Sequence, residues 1–128
     1  MSTKKTPEHP ITPEQVEEFA RLLKVWQERL HLTSWRVAKG RRRPTASLAE
    51  VEMFPDDRLA RVHVGRDWGA NPGNMEDLEK VVIHELLHIL LFDLARLAEY
   101  GEGAPAVAGV EHAIIVPLTE TLHKLTKQ

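Results

Sequence analysis

The chain has no cysteine, which excludes a disulfide framework, a thiolate zinc knuckle and a cysteine nucleophile. It also lacks an excess of either charge: 17 Lys+Arg stand against 19 Asp+Glu, for a formal net charge of −2. No global field is available to grip DNA or an anionic membrane, so nucleic acid is not the expected partner and any such binding must be local. No apolar run reaches the roughly 18 residues of a membrane span, and the polar start Met1–Pro10 lacks the apolar centre of a secretory signal. The expectation is a soluble cytoplasmic protein. Aromatic residues make up only 5%, and Trp26, Trp35 and Trp68 are spaced as core or core-edge residues rather than as a stacking platform for bases.

What remains is ordinary for one domain: 128 residues, 42% hydrophobic and 28% charged, enough to close a single core. Residues 1–11 read as a flexible tail and 12–128 as one domain. Thr12-Pro13-Glu14-Gln15 supplies an N-cap, a proline at the first helical position and a capping-box glutamine. Val16, Phe19, Ala20, Leu23, Trp26 and Leu30 then recur at helical steps. Three strand-like pieces follow, 34–39, 46–54 and 58–66, broken by Gly40–Pro44 and Pro55-Asp56-Asp57, the last two forming a hairpin. The third piece alternates apolar and polar residues and is expected at a sheet edge facing a cleft. Asn74 caps a helix over about 75–98, whose first turn carries Glu76, Asp77 and Glu79. After Gly101, Gly103 and Pro105 a last helix runs over 107–127, with Pro117 expected to kink it or delay its regular start.

The longest apolar block, Val81–Phe92, is interrupted only by His84, Glu85 and His88, in the order His-Glu-x-x-His. On a helix, positions four apart differ by about 40° in azimuth and about 6 Å in height, so both imidazoles can address one metal ion. Glu85 then stands beside the ion, placed to take a proton from activated water and pass it to a leaving amine. With 7 histidines in 128 residues, chance supplies roughly 0.04 copies of this pattern. Burying those polar side chains in the most apolar helix is costly unless a ligand or partner compensates, which sharpens the signal.

Without cysteine, the metal must be held by His and carboxylate, and a catalytic zinc needs a third protein ligand. From Glu111, steps of four and three reach Ile115, Leu118, Leu122 and Leu125, an apolar stripe. From His112 they reach Val116, Thr119 and His123, a mostly polar face. Glu111 is therefore the expected third ligand, on the face that packs against the metal helix, and His112 is the alternative. Glu102, in the glycine-rich break, is a minor one. His63, Arg66 and Tyr100 are chemically able to stabilise an oxyanion or touch substrate. Arg41-Arg42-Arg43 reads as a solvated loop.

His84-Glu85-Leu86-Leu87-His88, followed after the break by Val110-Glu111-His112-Ala113-Ile114, resembles the small zincin-like metallopeptidases of the gluzincin type. The order of helix, short strands, metal helix and C-terminal helix is similar to the minimal versions encoded by bacteriophages and prophages, distantly akin to the ImmA/IrrE peptidases. The resemblance implies an α+β fold, one zinc per chain held by His84, His88 and Glu111, and hydrolysis of a polypeptide by an endopeptidase with Glu85 as general base. The SprT-like branch, whose members act at nucleic acid, uses a third histidine instead, which His112 would supply. An open groove in so short a chain would take an extended peptide along the third strand. The alternative function is a non-catalytic, zinc-stabilised protein-binding module.

Overall fold

The capping box forms as its residues require. Thr12 Oγ1 accepts from the Gln15 amide (3.1 Å), Gln15 Oε1 accepts from the Thr12 amide (3.0 Å), and Pro13 opens α1, Pro13–Arg29. The structure, a computed structural model, describes residues 8–99 and 104–127. Phe19, Leu22, Leu23 and Trp26 form the buried face of α1. The segment before α1 is tied down from Glu8 onward, against the expectation of a tail running to residue 11. The Asp67 carboxylate accepts from the amides of Glu8 (3.1 Å) and His9 (2.8 Å), and Ile11, buried, donates its amide to the Arg66 carbonyl (2.9 Å).

Three strands, β1 (Arg36–Lys39), β2 (Ala49–Phe54) and β3 (Leu59–Val64), form one mixed sheet in the order β1-β3-β2. β2 and β3 make the expected antiparallel hairpin, and β1 runs parallel to β3 on its other side. The third strand is thus central, with both its backbone edges paired, and the expectation that it borders a cleft is wrong. Alternation of polar and apolar residues reports which face of a strand is buried, not whether it has neighbours. Ala60, Val62 and Val64 face the core, while β2 is an edge strand.

A one-turn 3-10 helix, Pro55–Asp57, closes the hairpin, and Arg58 completes it in the left-handed region (φ 49°). That conformation is uncommon for a residue with a Cβ. Here the side chain is held at three points: a two-pronged pair with Asp93 (2.9 and 3.0 Å), a bond from Nε to the Ser34 carbonyl (3.0 Å), and stacking 3.8 Å above the Trp35 ring. Asp93 of the following helix is thereby tied to the sheet.

Asn74 and Asp77 cap each other's amides, both at 2.9 Å, and start α2, Met75–Glu99. α3, Ala104–Leu125, continues helical through Pro117 and begins before the expected residue 107. Leu78, Val82, Ile83, Leu86 and Ile89 of α2 pack with α1, the inner sheet face and Ile115 of α3 to make the core. The fold is α+β, three helices and a small mixed sheet, and among the described residues no helix is long and apolar enough to cross a membrane.

The buried face of α3 differs from its apolar stripe. Ile115 is buried and Leu122 partly so, but Leu118 and Leu125 are exposed, while Thr119 and His123 are buried. A polar network explains the rotation. Trp26 Nε1 donates to Glu79 Oε2 (3.0 Å), His123 Nε2 lies 3.1 Å from Glu79 Oε1 without the alignment of a hydrogen bond, and Lys127 Nζ reaches the same oxygen at 3.2 Å. Burying Glu79 without these partners would cost several kcal/mol.

Candidate metal centre

His84 and His88 lie one turn apart on α2, both half-buried, with their Nε2 atoms 3.3 Å apart. Two imidazole nitrogens sharing one tetrahedral zinc at Zn–N about 2.0–2.1 Å stand about 3.3 Å from each other, so the pair fits the ion. His112 completes the group: its ring centroid is 5.0 Å from that of His84 and 6.3 Å from that of His88, and one nitrogen from each of the three rings lies within 4.8 Å of the others. Three neutral imidazoles are a donor set suited to zinc that leaves one tetrahedral position open.

Glu111 takes a different place from the one expected. Its Oε1 sits 2.8 Å from His88 Nδ1, on the ring nitrogen turned away from His84. A carboxylate there accepts a hydrogen bond from Nδ1–H and leaves the Nε2 lone pair free, the usual support for a metal-binding histidine. The cause is the rotation of α3. Ile115, Thr119 and His123 lie along its buried side, and one turn earlier Glu111 and His112 flank that line, Glu111 meeting His88 and His112 meeting His84. His112 is itself exposed, because it reaches the cluster from the rim. The alternative in the sequence reading, His112, is thus the residue placed with His84 and His88, and its spacing to Thr119 and His123 is the signal for it.

Electrostatics prepare the cluster. Burial, and then the neighbouring His88 and His112, hold the His84 imidazole down to about 4, so it is unprotonated at neutral pH. Burial pushes the Glu85 carboxyl up to about 7, with the charge of Glu50 adding to the effect. A group with that value exchanges protons readily near neutrality, as a general base must.

Glu85 is also where two hollows meet. One, of about 370 Å³, is lined by Leu48, Ala49, Val81, His84, Glu85 and Val116 among others. The second, of about 290 Å³, is lined by Val51, Met53, Glu85, His88, Phe92 and Glu111. Together they follow the edge strand β2 past the cluster, a groove suited to an extended chain.

Among the described residues, the remaining sequence candidates are not brought to the cluster. His63 is buried on the outer face of the sheet: its Nδ1 accepts from the Arg42 amide (3.1 Å) and its Nε2 contacts Glu52 (3.1 Å). Alternation along β3 puts it on the side away from α2, so it is not an oxyanion donor for this site. Arg66 is exposed, and its backbone is spent on Ile11 and Pro44. Tyr100 and Glu102 lie outside the described residues. Trp26 and Trp35 are buried and Trp68 is half-buried, donating from Nε1 to Gln15 (3.1 Å). No family model matches the chain, and no curated protein or solved structure matches it either.

Proposed function

We propose that the chain is a zinc-dependent metallopeptidase that hydrolyses peptide bonds in an extended polypeptide. The observation that carries this reading is the convergence of His84, His88 and His112 on one point with Glu85 beside it, in a groove along an edge strand. A zinc ion on the three imidazoles would supply a Lewis acid and a water acidified to about pKa 7. Glu85 takes a proton on its carboxylate and returns it to the leaving amine nitrogen. Glu111 keeps the His88 ring in one tautomer and orientation. Among the described residues β2 pairs only with β3, so its other edge offers backbone groups to a substrate strand, and Leu48, Val81 and Val116 offer apolar surface to its side chains. This moves the substrate from the third strand to the second.

The ligand set in this reading is three histidines, which within the zincin-like resemblance is that of the SprT-like branch rather than the gluzincin type. The test pairs metal analysis with cleavage of a mixed peptide library. One zinc per chain in wild type and in Glu85→Gln, with cleavage in the first and none in the second, is the expected result. Zinc without cleavage of any peptide would leave a zinc-stabilised module, and no zinc uptake at all would end the peptidase reading.

A further inference from the structure

On the outer face of the sheet, away from α2, lies a cavity of about 630 Å³ lined by Lys39, Arg41, Arg42 and Arg61, with Glu52 and His63 at its base. We propose that it is a binding site for a phosphate ester, separate from the metal centre and independent of the peptidase reading. Four cations line it against two nearby carboxylates, Glu50 and Glu52, and Glu52 is occupied by His63 at 3.1 Å. The Arg42 guanidinium stands 3.8 and 3.9 Å from Glu50 and Glu52, beyond hydrogen-bond reach. Among the described residues Lys39, Arg41 and Arg61 have no carboxylate within ion-pair distance.

The cluster is also held in place. Gly40 donates its amide to the Val62 carbonyl (2.8 Å), and the Arg42 amide is bonded to the buried His63 ring. A Cβ on residue 40 would fall 2.0 Å from His63 Nδ1, so glycine is required for the loop to close over the ring. The loop bearing Arg41 and Arg42 is thus fixed over β3, whose Arg61 lies on the same face. Planar guanidinium forks from the loop and from β3 suit an anion with several charged oxygens. A carboxylate would occupy only one fork. Arg43, third in the run, is excluded from the site: its guanidinium bonds the Val64 and Gly65 carbonyls.

The test is amide and arginine Nε chemical-shift titration of the full chain, zinc-loaded and zinc-free, with inorganic phosphate, adenosine monophosphate and a short single-stranded oligonucleotide at constant ionic strength. Saturable shifts at Gly40, Arg41, Arg42 and Arg61 in both forms are expected, and Arg61→Ala should weaken phosphate binding about tenfold with zinc content unchanged. Stronger binding of the monophosphate would point to a free nucleotide, and steeply salt-dependent binding of the oligonucleotide to a polymer; either supports the site. An equal response to acetate, shifts confined to the histidine cleft, or an unaltered Arg61→Ala variant would overturn it.

Discussion

Glu111 and His112 are neighbours in sequence, yet their substitutions should fail in different ways. Removing a ligand takes away a metal bond, whereas removing an outer carboxylate costs about 10–100-fold in metal affinity. In competition titrations with a zinc chelator, His112→Ala should therefore lose stoichiometric zinc, and Glu111→Ala should keep it with weakened affinity; the reverse order would restore Glu111 as the ligand. Glu85 offers a second test at this scale, on the metal-free chain. Its folded value of about 7 lies above the ordinary 4.5, so its contribution is intact below pH 4.5 and is lost as pH rises towards 7. Glu85→Gln should then stabilise the metal-free protein by about 1–3 kcal/mol at pH 8, and by much less at pH 5. Urea denaturation in the presence of a chelator at the two pH values reads the difference. An absence of any gain at pH 8 would show that the carboxyl ionises without strain in the fold.

At the scale of elements, the hairpin junction joins sheet to helix through one side chain. Arg58 carries both the left-handed backbone and the pair to Asp93, so its two roles can be separated. Arg58→Ala loses the pair and the stacking on Trp35 while keeping the backbone strain. Arg58→Gly loses the same contacts but relieves the strain, by about 1 kcal/mol. Glycine should therefore be the milder substitution in thermal or urea unfolding, contrary to the usual order inside regular elements. α3 shows how an element can form as expected and still present an unexpected face. Its hydrophobic pattern favours Leu118 and Leu125, but the buried carboxylate of Glu79 needs Trp26, His123 and Lys127 around it. A helix turns as a rigid body, so satisfying Glu79 at one end sets which residue meets His84 at the other. Trp26→Phe removes a donor from Glu79 and should cost about 1–3 kcal/mol, and weakened zinc binding alongside that loss would show that the network also aligns the metal ligands.

For the whole molecule, zinc would bind residues from two helices that only folding brings together, so it should raise stability by about 2.7 kcal/mol at a free concentration 100 times its dissociation constant. Thermal melts across a zinc series, with His112→Ala as the unresponsive control, check this. Acid should act on the metal-free protein in two stages. His84, held down to about 4 from 6.5, makes a contribution that is lost as pH falls from 6.5 to 4. In wild type Glu85 has the opposite slope over much of that range, so the loss is plainest in Glu85→Gln. For Glu79, burial raises the value but is outweighed by hydrogen bonds from Trp26 and Lys127 and by the charges of Lys127 and His123, leaving it below 4.5; its contribution is lost only as pH falls below that point. By itself the sequence determined the elements and the motif: the caps at Thr12 and Asn74, the hairpin around Pro55–Asp57 and the pairing of His84 with His88 all follow from contacts within a few residues. Only the tertiary structure decided that β3 is central, that α3 turns Thr119 and His123 inward, that His112 reaches the cluster while Glu111 supports it, and that His63 belongs to another face. Those outcomes depend on which distant groups satisfy a buried charge or pair a strand edge, and polarity patterns read along one element carry no record of its partners.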